Sequence, residues 1–166
     1  MTSDYLIQHL GLQPLPGEGG WFTQTWLSAQ RSPNGRAAGT AIYFLINETN
    51  FSALHRLSTD EIYHFYAGDP VEQLQLWPNG STHVVKLGSD FAAGQQPQAV
   101  APAGAWQGSR LTPRSMRGPS PQGWALMGTT MAPGFDEKEF ELGQRADLIK
   151  RYPASRDHIE QLTRQR

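Results

Sequence analysis

Apolar positions keep a helical spacing at both ends of the 166-residue chain and an extended spacing between them. Near the N-terminus, Leu6, Ile7 and Leu10 form one apolar helix face. Ser3 stands where a cap is needed, and Gly11 ends the helix ahead of Pro14 and Pro16. From Gly19 to Gly134 the runs shorten. WFTQTW (21–26), TAIYFLIN (40–47), FSALHRL (51–57), EIYHFYA (61–67), VEQLQLW (71–77), THVVKL (82–87), QAVA (98–101), AWQGSRL (105–111) and GWALMGTTM (123–131) are mostly rich in aromatic and β-branched residues. Gly, Pro, Asn or Asp separates them. Asn79-Gly80 between two runs predicts a tight hairpin. Many short strands with no helix between them predict an antiparallel sandwich or barrel, an all-β fold. Beyond residue 143 the helical pattern returns in QRADLIKRY (144–152) and is broken by Pro153. A second helix follows, with Ser155 as its cap, Ile159 and Leu162 inward, and Arg156, Arg164 and Arg166 toward solvent. The prolines of Thr112–Gln122 mark the stretch expected to be most flexible.

Composition narrows the function classes. Fourteen Lys+Arg against 15 Asp+Glu leave a net charge of -1, which argues against nucleic acid or an anionic membrane as a partner. The chain has no cysteine, so disulfides, thiolate catalysis and thiolate metal centres are excluded. The longest purely apolar run is Ala41 to Ile46, far short of a membrane span, and residues 1–15 lack the features of a signal peptide. A cytoplasmic protein of one domain over residues 1–166 is expected, its barrel at about 19–142 and a helical segment at about 143–166.

The chemistry-bearing segment is HRLSTDEIYHFYAG, His55 to Gly68. Alternation puts His55 and Leu57 on one face at the end of a strand. Glu61 opens the next strand, followed on its own face by Tyr63 and Phe65. Further on, Pro102-Ala-Gly104-Ala-Trp-Gln107 turns into a strand that aims Gln107, and Ser109 two residues later, the same way. A His and a Glu facing each other inside a barrel can form a metal site or an acid–base pair. His64 is out of phase with Glu61 and is expected to face outward, beneath a helix or at a dimer interface. Arg110, Arg114 and Arg117 read as loop and surface residues, and Asp136 to Glu141 as a surface feature anchored by Phe135, Phe140 and Leu142.

These segments resemble the cupin superfamily. Its first motif, a Gly, five residues, H-x-H, three or four residues, Glu, six residues and Gly, is matched at His55, Glu61 and Gly68. Its second, P-x-G-x-x-H, is matched at Pro102 and Gly104. The chain departs from it at Thr49 (for the leading Gly), at Leu57 (for the second His) and at Gln107 (for the His of the second motif). From about Leu10 to Tyr152 the sequence looks like a small cupin family of uncharacterised function, through PGEGGWF (16–22), TAIYFL (40–45), HRLSTDEIYHFYAGDP (55–70), PAGAWQ (102–107) and APGFDEKEFEL (132–142). The resemblance implies a double-stranded β-helix, the cupin jelly roll, with a short N-terminal helix and C-terminal helices. It also implies a homodimer with a pocket inside the barrel, and a likeness to metal-independent epimerases of dTDP-keto sugars and to plant storage and auxin-binding cupins.

One imidazole, one carboxylate and one amide are a poor metal set, so no metal and no cofactor are expected. Three readings follow. The first is a metal-independent isomerase or epimerase of a sugar or keto acid, with His55 as base, Glu61 beside it and the Tyr63 hydroxyl as acid. Leu57, Phe65, Gln107 and Ser109 would then shape the ligand pocket. In that apolar setting Glu61 titrates high unless His55 or Gln107 hydrogen-bonds it. The second is a non-catalytic binding protein for a sugar-like small molecule. The third is a metal-dependent oxygenase or hydrolase using His55, Glu61 and Gln107.

Overall fold

The computed structural model describes residues 1–164; Arg166, expected in solvent, lies outside the described residues. Helix α1 (Ser3–His9) leads into β1 (Gln13–Pro14) and β2 (Trp21–Leu27), then β3 (Thr40–Asn47), β4 (Ser52–Arg56), β5 (Glu61–Gly68), β6 (Val71–Leu76), β7 (Thr82–Leu87), β8 (Gln98–Ala101), β9 (Trp106–Leu111), β10 (Trp124–Met131) and β11 (Glu141–Leu142). Helices α2 (Arg145–Arg151) and α3 (Arg156–Gln161) close the described chain. One sheet runs β1-β2-β3-β10-β5-β8 and the other β11-β4-β9-β6-β7. Every ladder within them is antiparallel. The two sheets form a jelly roll.

Alternation builds three apolar layers. Phe44, Ile46, Tyr63, Val71, Leu87, Leu111, Ala125 and Met127 fill the space between the sheets. Leu54, Leu74, Leu76 and Trp106 point the other way from the five-stranded sheet and are buried under Leu148, Tyr152, Ile159 and Leu162 of the C-terminal segment. Leu6 and Leu12 cover Leu45 and Trp124 at one corner of the six-stranded sheet. The C-terminal helices are therefore amphipathic covers, which is why their apolar positions keep a helical period.

Several local expectations need correction. Thr2, not Ser3, caps α1: its side chain accepts the Tyr5 N–H. Ser155 makes no capping hydrogen bond to α3; its hydroxyl pairs with Thr82 of β7. The Thr112–Gln122 stretch is tied down rather than free. Arg117 donates to the Thr112 carbonyl and pairs with Glu48, while the buried Asp69 carboxylate accepts from the Gln122 and Gly123 N–H groups. Arg164 is exposed, as expected, and in addition donates to the Gly17, Glu18 and Phe51 carbonyls. The chain after α3 runs back along β4, where the Leu54 N–H donates to the Leu162 carbonyl, and this brings Arg164 onto the turn before β2.

Candidate functional site

The site begins at an irregularity. β4 loses register with β9 between Ser52 and His55. The N–H groups of Ala53 and Leu54 are thereby free of the ladder, and they bond to the carbonyls of Glu18 and Leu162. The PGEGG turn between β1 and β2 thus docks on β4 by its backbone. Gly19 and Gly20, at φ +101 and +75, take a left-handed path that a side chain would oppose, and Glu18 turns into the barrel. There its Oε1 accepts a hydrogen bond of 2.6 Å from Ser52 Oγ.

His55 follows the bulge and is 2% exposed. Its Nδ1 lies 2.8 Å from the Ala53 carbonyl oxygen, which makes Nδ1–H a donor. Glu18 Oε1 is 3.9 Å from Nδ1, and Glu61 Oε2 is 3.9 Å from Nε2. The imidazole is therefore flanked edge-on by two carboxylates, and Phe140 stacks on its face at 5.3 Å. Glu61 opens β5 and receives a hydrogen bond of 2.7 Å from Gln107 Nε2 on β9. Gln107 Oε1 is buried with no partner among the described residues. Gly68 at the other end of β5 has φ +102, and a Cβ there would run into the Trp124 carbonyl.

These neighbours set the protonation states. Burial opposes charge on His55, but the Glu18 and Glu61 carboxylates outweigh it and push the imidazole up to about 9. Burial pushes Glu61 up, but the neighbouring His55 imidazolium, and after it Thr129 and the hydrogen bond from Gln107, bring it below the usual carboxylate range. The high titration expected of an unassisted Glu61 is therefore absent, because the assisting donors are in place. Glu18 is raised: burial dominates, Glu61 adds to it, and His55 and Ser52 offset only part. With the imidazole raised in this way, His55 holds its proton at neutral pH and presents Nε2–H as a donor. Tyr63 is raised well above the usual phenol value by burial and by the two carboxylates, and stays protonated.

A cavity of about 400 Å³ opens onto this cluster. Glu18, His55, Leu57, Glu61 and Thr129 line its inner part. Leu15, Phe22, Ile42 and Met131 form apolar walls, and Phe135, Glu137 and Phe140 stand at its C-terminal side. Of the residues singled out from sequence, His55, Leu57 and Glu61 line the cavity. Gln107 stands behind Glu61. Tyr63 and Phe65 lie deeper along β5, packed in the layer between the sheets and off the cavity wall. The strand rise of about 3.3 Å per residue carries each successive inward residue roughly 7 Å further from the mouth. Ser109 sits opposite Gln73 and Ser52 in the next row, its hydroxyl buried and unpartnered among the described residues.

Sequence reasoning missed Glu18, whose one signal was an acid inside a glycine-rich turn. Asp136 to Glu141 is the surface feature expected, with Glu137, Lys138 and Glu141 exposed and Phe140 among its apolar anchors; what the sequence did not show is that Glu137 and Phe140 border the cavity and that Glu139 pairs with Arg36 at 2.9 Å. Arg110 pairs with Glu72 and Arg114 with Glu48, away from the cavity. A wider, shallower groove of about 800 Å³ lies against α2 and α3, lined by Arg145, Lys150, Arg156 and Glu160, and holds none of these groups.

The donor set does not suit a metal ion. One imidazole nitrogen donates to a carbonyl, the other faces a carboxylate already held by an amide, and Leu57 offers no ligand atom. Among the described residues no three His, Cys, Asp or Glu side chains are placed to hold one.

The family model described as "Cupin superfamily (DUF985)" matches residues 4–143. A crystal structure of a protein from Shewanella oneidensis is 30% identical with a TM-score of 0.90, covering 100% of this chain and 99% of that one. A hypothetical protein from Leishmania major is 31% identical with a TM-score of 0.89, covering 99% of this chain and 100% of that one. A variant of oxalate decarboxylase from Bacillus subtilis shares the fold at a TM-score of 0.55 and 11% identity, covering 91% of this chain and 37% of that one. No curated protein matches. Among the described residues no helix is long and apolar enough to cross a membrane.

Proposed function

The chain belongs to this DUF985 family of the cupin superfamily, and from that premise we propose that its barrel cavity binds a small polar molecule and moves a proton on it without a metal, as an isomerase or epimerase does. The observation that carries the reading is the buried imidazole flanked by two carboxylates, at 3.9 Å each, on a cavity wall. Perturbed titratable groups grouped in a cleft mark acid–base sites. The roles follow from the protonation states. Glu18, its carboxyl raised by burial and so a stronger base than a free carboxylate, takes a proton from a carbon beside a carbonyl. The C–H electron pair becomes the C=C bond of an enol, and the His55 Nε2–H gives its proton to the carbonyl oxygen. The enol O–H then returns its proton to His55 Nε2 as the C=O re-forms, and the C=C electron pair takes a proton at carbon from Glu18 or, after exchange, from solvent, which restores both side chains. Glu61, held anionic by the imidazolium itself with help from Gln107, in turn keeps the imidazole charged. Tyr63, packed between the sheets and off the cavity wall, takes no part in the step.

The test is deuterium incorporation from D₂O into a panel of small carbonyl compounds, comparing wild type with Glu18→Gln and His55→Gln. Wild-type exchange that both variants lose supports the reading, and exchange that either variant keeps unchanged overturns it. A second reading, a binding protein without turnover, is favoured by one observation: both ring nitrogens of His55 already face protein acceptors. Saturable binding with no exchange selects it. A homodimer is proposed as well, on the outward Trp26, Tyr66 and Val100, each about half exposed on the six-stranded sheet; a monomeric mass by light scattering refutes it.

A further inference from the structure

We infer that the cavity selects a ligand bearing an ammonium group on an apolar body, and rejects carboxylates and phosphates; this rests on the cavity being the ligand site. Three carboxylates line it, Glu18 and Glu61 inside and Glu137 toward solvent, against the single imidazole of His55. No Lys or Arg lines it. Even with His55 charged and Glu18 protonated, one negative charge is left over, so an anion meets like charge in a low-dielectric space.

The nearby guanidinium groups are committed elsewhere. Arg36 donates to the Gly134 carbonyl, to Glu139 and to Thr59. Arg164 faces the Gly17, Glu18 and Phe51 carbonyls. Arg56 is bound to Glu141 and lies over Trp106. Moving any of them into the cavity would break several hydrogen bonds, so none serves as an anion clamp.

Hydrogen-bonding capacity points the same way. Two carboxylates face inside, and behind Glu61 the buried Gln107 Oε1 has no partner among the described residues, while Gln24, Thr40 and Thr129 on the wall can accept as well as donate. An ammonium group brings three donors and no acceptor. The wall carries the rings of Phe22, Phe135 and Phe140, whose faces are electron-rich, and a cation gains where it meets such a face. Leu15, Ile42, Leu57 and Met131 make the rest of the wall apolar, which suits a hydrocarbon body.

The experiment uses the full chain and matched probes. Pentyl, cyclohexylmethyl and benzyl skeletons are each offered as the amine, the alcohol and the carboxylate, with affinity read by calorimetry and thermal shift near neutral pH. The amines should bind on the order of tenfold more tightly than the alcohols, and the carboxylates should not saturate. Glu137→Gln, at an exposed position where folding is not at stake, should weaken the amines by about threefold, the scale of one surface charge, and leave the alcohols unchanged. Carboxylates or alcohols that bind as well as the amines, or a Glu137→Gln variant that shifts all three classes equally, overturn the inference while the cavity reading stands. Saturable binding by no probe of any class overturns both.

Discussion

Removing the proton from His55 should cost the fold a measurable part of its stability. At 3.9 Å, each flanking carboxylate attracts the imidazolium by about 4 kcal/mol if the effective dielectric constant is near 20. Burying the ion costs several kcal/mol and offsets much of that attraction. The difference left over matches the rise of the imidazole from 6.5 to about 9, which is worth about 3 kcal/mol. The folded value lies above the unfolded one. This stabilisation is therefore complete below the unfolded value of 6.5 and is lost as pH rises through about 9. Glu18 is also raised, so its contribution falls in the same direction, from lower pH upward. Glu61 is lowered, so its contribution is present above 4.5 and is lost only as acid protonates it in the folded state. Urea unfolding at several pH values between about 6 and 10 should show stability falling by about 2–3 kcal/mol on the alkaline side. NMR of the imidazole carbons gives the titration directly, and Glu18→Gln should lower its midpoint. A flat stability profile over that range, or a midpoint below 7 in the wild type, would refute the proposed balance between burial and the two carboxylates.

Gln107→Leu removes the donor to Glu61 Oε2. It should destabilise the protein by about 1–3 kcal/mol and raise the Glu61 titration; equal stability on denaturant unfolding contradicts the role given to Gln107. Arg164→Ala releases the turn that presents Glu18. It should cost about 1–2 kcal/mol and weaken ligand binding more than Arg156→Ala, whose partner among the described residues is Glu160; equal effects on affinity argue against Arg164 as an anchor of the site. Protein purified without chelators should contain manganese, iron, nickel and zinc each far below one equivalent by elemental analysis. A stoichiometric content of any of them would contradict the ligand argument made from Leu57 and Gln107.

The extended pattern from Gly19 to Gly134, the hairpin at Asn79-Gly80 and the amphipathic C-terminal segment were legible because each depends on neighbours in the chain. Period, turn chemistry and breaking residues are local signals, and they were enough for strands, helices and an all-β fold. The facing of His55 and Glu61 was legible too, since alternation along two adjacent strands is also local. What the sequence left hidden depends on contacts between distant segments. Glu18 reaches His55 only because the bulge in β4 frees the Ala53 N–H to bind the Glu18 carbonyl, and because Arg164 pins that turn from 146 residues away. Phe140 covers the imidazole only because β11 pairs with β4. Protonation was decided at the same level. Whether a buried histidine is a base or an acid depends on how much water it has lost and which charges replaced it, and those are properties of the assembled barrel, not of residue order.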